Sequence, residues 1–224
     1  MKFLLLSLTL SLAISASIVA EDWPTYRYDN QRSGVVESKL GLPMEPSWKH
    51  VSPNPPKTAW ARPALWDAYS GNEGLQAMRN FDGAFYVTTS DGLVYFASSL
   101  DDAVHCLDAE TGKERWVAFA GAPVRLPPTI YNGLAYFGAD DGFAYCVDAK
   151  TGEQRWKVRA APNERMIPSD GRLISPWPVR TGVLVQNGTA YFGASLLPWR
   201  ESILWGVDAT TGKVEGEGRF KETH

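Results

Sequence analysis

Three segments of the sequence repeat one another at a nearly constant spacing. They read VHCLDAETGKERW over 104–116, AYCVDAKTGEQRW over 144–156 and, in a shorter third copy, LWGVDATTGK over 204–213. The step from Asp108 to Asp148 is 40 residues. A fixed period of about 40–45 residues with several short strands per repeat is typical of β-propeller blades. We therefore predict an all-β chain built of four-stranded antiparallel propeller blades.

The strands of each predicted blade follow from apolar and aromatic residues that alternate between turn signals. In the middle repeat, Asn132-Gly133 predicts a type I′ hairpin turn. The blades are predicted at 85–119, 128–159 and 181–218, with strands at 85–90, 93–98, 103–108, 115–119, 128–131, 134–139, 143–148, 154–159, 181–186, 189–194 and 203–208. The polar tail at 215–224 is predicted to be a ragged end rather than an outer strand.

The residues that the repeats share have a structural interpretation. The aspartate can accept hydrogen bonds from the backbone of its own turn, and the glycine supplies a positive φ angle. The tryptophan packs its large ring against the neighbouring sheet. A catalytic role for these aspartates is not expected. The predicted structural residues are Asp108, Gly112, Trp116, Asp148, Gly152, Trp156, Asp208 and Gly212.

The pattern small-x-Asp-x-x-Thr-Gly-x-x-x-Trp resembles the tryptophan-docking repeat of pyrroloquinoline-quinone (PQQ) propellers. That superfamily includes quinoprotein alcohol dehydrogenases and the non-enzymatic propeller of bacterial outer-membrane protein assembly. The opening DWPTYR at 22–27 is also similar to the start of many exported propellers of this group. The third repeat departs from the pattern, because Gly216 stands where the tryptophan belongs. Only about three blades are present, whereas propellers typically have about 4–8. Either the chain is part of a larger ring, of about seven or eight blades, which we favour, or several chains combine to close one.

The first 20 residues are predicted to be a secretory signal peptide. Lys2 precedes an apolar run over 3–14, and small residues lead to a cleavage site after Ala20. The run is shorter than the about 20 apolar residues that a membrane-spanning helix needs. We therefore expect an exported protein of the periplasm or the extracellular space, with no transmembrane segment after signal cleavage.

Between the signal peptide and the blades, 21–60 is predicted to be an N-terminal segment and 61–84 a loop insertion. Within the N-terminal segment, 47–53 resembles a lone strand D, the outermost strand of a blade, with Trp48 in the tryptophan position. Propellers often close by pairing an N-terminal strand with the last blade, which removes the open edges. We expect Trp48 to lie on such a ring-closing strand.

Composition limits both the partners and the covalent chemistry. Lys and Arg number 22 against 25 Asp and Glu, which gives a net charge of −3, so a nucleic-acid partner is not favoured. Cys106 and Cys146 occupy equivalent positions of consecutive repeats. Neighbouring sheets pack about 10 Å apart, which is farther than a disulfide allows. Both cysteines are therefore predicted to be reduced and buried.

Three insertions interrupt the repeat, at 54–82, 160–180 and 195–202. In an antiparallel meander, the B–C connections and the connections between blades lie at the same end, so all three insertions are predicted on one face. Function tends to lie on the long loops of a rigid scaffold. We predict that this face binds a protein or carbohydrate ligand, and its candidate residues are Trp66, Arg79, Arg165, Arg172, Trp177, Arg180, Trp199 and Arg200.

These residue types allow two interpretations. Trp and Arg are enriched at binding hot spots, but Trp can also cap blade ends and Arg can hold loop carbonyls. The pairs Asp101-Asp102 and Asp140-Asp141 at the B–C turns are predicted to be solvated. Two adjacent carboxylates are fewer than the six to eight oxygen ligands that calcium takes.

Two functions from different classes fit these features. We favour a non-catalytic propeller that acts as a binding or interaction scaffold in the bacterial cell envelope. The alternative is a fragment of a dehydrogenase that oxidises alcohols or sugars with PQQ and calcium. The resemblance implies that such an enzyme carries adjacent cysteines beside the cofactor, an aspartate base and a set of calcium ligands. The sequence has no Cys-Cys pair, and no catalytic, cofactor-binding or metal residue is predicted.

Overall fold

The computed structural model describes residues 21–39, 42–53, 86–169, 171–197 and 199–222. The predicted signal peptide and the loop insertion at 61–84 lie outside these residues. The described part contains fourteen β-strands and no helix, and so no helix that could cross a membrane. The strands are β1 (Val87–Ser90), β2 (Leu93–Ser98), β3 (Ala103–Asp108), β4 (Glu114–Phe119), β5 (Thr129–Tyr131), β6 (Leu134–Gly138), β7 (Phe143–Asp148), β8 (Gln154–Arg159), β9 (Ile167–Ser169), β10 (Arg172–Ile174), β11 (Leu184–Gln186), β12 (Thr189–Ala194), β13 (Ser202–Asp208) and β14 (Val214–Glu222).

Three four-stranded antiparallel sheets, each with its strands in chain order, form the fold. We call β1–β4 blade 1, β5–β8 blade 2 and β11–β14 blade 3, and we letter the strands of each blade A to D. The A strands are the innermost, since β5 contacts both β1 and β11. The three sheets do not close into a ring. The predicted all-β architecture of four-stranded blades, present as part of a propeller, is confirmed.

The tail of the chain differs from its prediction. It forms β14, which pairs with β13 from Trp205↔Arg219 to Ser202↔Glu222. The register steps from Val207↔Val214 to Trp205↔Arg219 across a bulge, so the extra residues of the tail are absorbed without loss of the strand. An outer strand needs backbone hydrogen bonds on one side only and tolerates polar side chains. For that reason a charged, glycine-rich tail can complete blade 3.

Two apolar layers hold the blades together. The layer between blades 1 and 2 contains Tyr95 and Phe137, and the layer between blades 2 and 3 contains Tyr136 and Phe192, each about 1% exposed. Full burial of a side chain of this size contributes about 2–3 kcal/mol. Cys106 and Cys146 lie in different layers and form no disulfide. Burial raises the pKa of both thiols to about 12.

Each of these layers also contains a tryptophan that sits on the C–D turn of the next blade. Trp116 Nε1 donates to the Ala149 carbonyl at 3.0 Å, and Trp156 Nε1 donates to the Ala209 carbonyl at 2.8 Å. A Cβ atom at Gly152 would lie 2.8 Å from the Trp116 ring, and this glycine has a φ of 74°. A glycine is therefore needed in the turn for two reasons, the close approach of the ring and the left-handed backbone.

Trp48 makes the same contacts with blade 1, although no blade precedes it in the described residues. Its Nε1 donates to the Ala109 carbonyl at 2.8 Å, and its ring covers Gly112. His50 lies beside Phe96, with 5.3 Å between the ring centroids. The backbone at 47–53 belongs to no strand. This segment thus covers the face of blade 1 on which a preceding blade would pack, and ring closure through it stays a prediction.

Candidate binding face

The long connections that the structure describes lie at one end of the blades. Successive connections of an antiparallel meander alternate between the two ends of the sheet, so the B–C turns and the blade-to-blade connections share one end. We call this end the loop face; its described segments are 99–102, 120–128, 139–142, 160–169, 171–183, 195–197 and 199–201. The other end, with tight turns such as Asn132-Gly133 and Thr151-Gly152, is the turn face.

Arg172 joins the hairpin β9–β10 to blade 1. Its guanidinium donates to the Asp102 carboxylate and to the Leu100 carbonyl, and both acceptors lie in the B–C turn of blade 1. Burial raises the pKa of Asp102, and the positive charge of Arg172 acts in the opposite direction. The connection that leaves blade 2 therefore reaches back to blade 1 before it enters blade 3.

Trp177 joins the same connection to blade 3. Its side chain is 4% exposed within the layer between blades 2 and 3. Its Nε1 donates to the Glu201 carbonyl at 3.0 Å, in the B–C connection of blade 3. The guanidinium of Arg200 lies over the ring, 5.8 Å from its centroid. Trp177 is thus a core residue that fixes two long connections to each other.

Asp140 is the most deeply buried charged group of the loop face. Its carboxylate is fully buried and accepts two hydrogen bonds from Arg180 and one from Arg125, each at 2.7 Å. Arg125 comes from the connection before blade 2 and Arg180 from the connection after it. The backbone adds a bond from Ser175 N to the Asp140 carbonyl at 2.7 Å. One carboxylate therefore fixes both connections to the B–C turn of blade 2.

An aromatic or histidine ring on strand C ties each blade to its loop face. His105 Nε2 lies 3.1 Å from Asp101, and the Tyr145 hydroxyl donates to Asp141. In blade 3, Trp205 Nε1 donates to the Ala160 carbonyl at 3.1 Å. Burial raises the pKa of Tyr145, and the Asp141 carboxylate raises it further. Each of these contacts joins a connection of the loop face to a side chain of a sheet.

The candidate residues fall into three groups. Arg172, Trp177 and Arg180 meet on the loop face, where each contacts a different B–C connection within the protein. Trp199 is 69% exposed in the B–C connection of blade 3, and Arg165 and Arg200 are exposed as well. Trp66 and Arg79 lie outside the described residues.

The aspartate pairs of the B–C turns correct the sequence interpretation. They are not simply solvated: Asp140 is fully buried, Asp102 pairs with Arg172, and Asp141 accepts from Tyr145. Sequence reasoning also missed Arg125. A signal was available in the sequence. The blade-to-blade connections are rich in arginine, and two of the B–C turns each contain a pair of aspartates, so ion pairs across the loop face are expected.

The carboxylates of the B–C turns are engaged in contacts within the protein. No group of three or more His, Cys, Asp or Glu side chains in the described ranges is arranged to hold a metal ion. The buried carboxylate of Asp140 is paired with two guanidiniums.

Solved structures of known proteins share this fold. The quinohemoprotein alcohol dehydrogenase of Comamonas testosteroni is 18% identical and matches 89% of this chain with a TM-score of 0.58. The quinohemoprotein alcohol dehydrogenase ADHIIG of Pseudomonas putida HK5 is 22% identical over 60% of the chain, with a TM-score of 0.50. The matched parts are 27% and 20% of those proteins, so the chain spans about a quarter of their length.

The sequence comparison is more specific about the family. No curated protein matches the chain. A family model does match, over residues 49–224, which is most of the chain; it is PQQ_2, described as "Outer membrane protein assembly factor BamB". Because it covers the three four-stranded blades, this match shows that the chain belongs to the BamB-like family of PQQ-like β-propeller proteins.

Proposed function

We propose that this protein is a non-catalytic propeller that serves as a protein-binding scaffold in the bacterial cell envelope, with the loop face as its binding surface. The observation that carries the proposal is that the loop face contains two sets of side chains, one buried and bound within the protein and the other exposed to solvent. Its buried charged and aromatic groups, Asp140 and Trp177 among them, fix the connections internally. Its exposed groups, Trp199 among them, belong to the same connections and are free to contact a partner.

A rigid platform with exposed large side chains favours association. Trp199 is 69% exposed and Leu173, on the hairpin β9–β10, is 62% exposed. Tryptophan contributes strongly at protein interfaces, and a platform that is already ordered loses little conformational entropy when a partner binds. The family description, an assembly factor for outer-membrane proteins, supports an exported protein and a partner in the outer-membrane assembly machinery.

Binding to that machinery tests the proposal directly. The chain, without its predicted signal peptide, is titrated into the purified outer-membrane protein assembly complex and the Kd is measured by calorimetry. We expect Trp199→Ala to weaken binding by about tenfold or more, the size of an interface hot spot. The control is Lys150→Ala, an exposed residue of the turn face. Equal Kd values for the two variants, or no binding by the parent chain, would contradict the proposal.

The second candidate function is that of a PQQ-dependent dehydrogenase. The likeness to the quinohemoprotein alcohol dehydrogenases favours it at the level of the fold. The two cysteines of the chain lie 40 positions apart, in different apolar layers, and Asp140 is paired with two arginines. Both observations support the scaffold. Dye reduction with added PQQ, calcium and an alcohol, at a rate above the protein-free blank, would favour the enzyme instead.

A further inference from the structure

The N-terminal segment, residues 22–32, crosses the innermost strand region of every blade. We call it the strap. The A strands β1, β5 and β11 are short, and each pairs with the B strand of its blade on one side only. The other side faces the common axis and exposes backbone donors and acceptors, as the edge of any sheet does. The strap supplies partners to these groups one blade after another.

Contacts with blade 1 come first along the strap. Trp23 forms an antiparallel bridge with Thr89 of β1, with one backbone hydrogen bond in each direction, at 3.0 and 2.9 Å. Asp22 accepts from the Ser90 hydroxyl at 3.2 Å and from the Asp91 amide at 3.3 Å, at the turn-face end of the strand. The strap therefore extends the sheet of blade 1 by one short inner bridge.

Blade 2 is bound by the next two residues. The Pro24 carbonyl accepts from the Ile130 amide of β5 at 2.7 Å. The hydroxyls of Thr25 and Thr129 lie 2.8 Å apart, and Thr129 also donates to the Val183 carbonyl at 2.5 Å. Because a hydroxyl has a single proton, Thr25 is the donor in the first pair. A hydrogen-bonded chain thus runs from the strap through blade 2 to blade 3.

Blade 3 receives the end of the strap. Asn30 Nδ2 donates to the Val185 carbonyl of β11 at 3.0 Å, and the Arg32 guanidinium donates to the Thr181 carbonyl at 2.9 Å. Thr181 lies on the loop face, whereas Asp22 contacts the turn-face end of blade 1. The strap therefore passes along the axis from one face to the other while it moves from blade 1 to blade 3.

The strap has a folded shape of its own. Arg27 and Tyr28 have φ angles of 59° and 80°, a conformation that non-glycine residues disfavour and hold only when neighbouring contacts fix them. The rings of Trp23 and Tyr28 lie 5.4 Å apart, and Arg32 lies over the Tyr26 ring at 5.4 Å. A segment with this many specific contacts is an ordered part of the fold.

We infer that residues 22–32 form an intramolecular strap that lies on the axis side of the blades and holds the three A strands in register. The inference is independent of the proposed partner, since it concerns the axis and not the loop face. It has a local consequence: where the strap lies, the inner edges of β1, β5 and β11 already have hydrogen-bond partners within the chain.

An engineered disulfide tests the position of the strap in the full chain. Thr25→Cys combined with Thr129→Cys places two thiols at side chains whose hydroxyl oxygens are in contact at 2.8 Å, so a small adjustment of the side chains brings the sulfur atoms to the S–S bond length of about 2.05 Å. Cys106 and Cys146 are buried with pKa values raised to about 12, so their thiols do not compete in the folded protein. The single variants Thr25→Cys and Thr129→Cys are the controls.

We expect mild oxidation of the double variant to give a linked pair of tryptic peptides, absent from both single variants, and to raise its thermal midpoint by about 5 °C or more. Failure of the crosslink in the folded double variant would overturn the inference. A crosslink with no rise in the midpoint would overturn the claim that the strap holds the blades in register.

A measurement on the unmodified chain guards against a double variant that does not fold. The amides of Thr89 and Ile130 donate to the strap, so their hydrogen exchange should be slowed at least about 100-fold relative to an unstructured peptide. Exchange at unprotected rates would overturn the inference. Thr25→Val should accelerate exchange at Ile130, whereas Thr210→Val, at an exposed turn-face threonine, should leave it unchanged; equal effects would count against the strap.

Discussion

Replacement of Asp140 by asparagine should be among the most destabilising single changes on the loop face. The substitution keeps the shape of the side chain and removes its charge. Arg125 and Arg180 then remain with side chains 9% and 15% exposed, and without their common carboxylate. Loss of one partner from a buried ion pair costs about 3–5 kcal/mol, because the remaining charge stays desolvated. We expect a loss of that size in the free energy of unfolding.

Asp148→Asn is the matched control for this prediction. Asp148 also accepts from an arginine, Arg155, at 2.7 Å, but the two side chains are 21% and 45% exposed. An ion pair in contact with solvent contributes about 0–1 kcal/mol. Guanidinium denaturation followed by tryptophan fluorescence gives both values. If Asp140→Asn lowered the free energy of unfolding by no more than Asp148→Asn does, the reasoning about buried charge on the loop face would be refuted.

Three further predictions follow from other parts of the structure. Trp156→Ala should lower the free energy of unfolding by about 3–5 kcal/mol, since Trp156 is 7% exposed between two blades. Trp199→Ala should change it by less than about 0.5 kcal/mol. Similar losses for the two variants in chemical denaturation would contradict the assignment of Trp156 to the core and of Trp199 to the surface. Gly152→Ala should destabilise the folded protein by more than about 1 kcal/mol, and by more than Gly133→Ala does. Both glycines have a φ of 74°, but only at Gly152 would a Cβ atom contact a ring, that of Trp116. The thermal midpoints of the two variants test this, and equal midpoints would contradict it. Arg155 holds the pKa of Asp148 below its usual 3.8. The contribution of this carboxylate to the free energy of unfolding is therefore complete above about pH 4 and is lost as the pH falls through the lowered pKa. The difference in stability between the parent and Asp148→Asn should shrink in acid, and a difference that grows in acid would contradict this pH dependence.

The strands of the blades could be predicted because each repeat carries its own register. The apolar positions and the turns recur at the same spacing, so an error in one copy is corrected by the next. β14 lacks this help. The tryptophan of the repeat is replaced by Gly216, and extra residues separate Val214 from Arg219 in the pairing with β13. A pattern that depends on side chains cannot reveal a strand that is held by its backbone.

The candidate binding face was harder to predict than the fold. The alternation of connections placed the insertions at one end of the blades, but it could not separate exposed from buried residues. Trp177 and Trp199 are both tryptophans of long connections, and one is 4% exposed whereas the other is 69% exposed. Asp140 finds its arginines 15 and 40 positions away. Which residues form such pairs depends on how the connections fold over the blades, and this cannot be predicted from a local sequence pattern.

Site-specific photo-crosslinking tests the central claim, that the loop face is the binding surface, most directly. A photo-reactive amino acid is placed at Trp199 or Leu173 on the loop face, and at Lys150 or Thr210 on the turn face, all four of which are exposed. After irradiation with the purified outer-membrane assembly complex, we expect crosslinked protein partners from the two loop-face positions and none from the two turn-face positions. Crosslinks from the turn face alone would contradict the account.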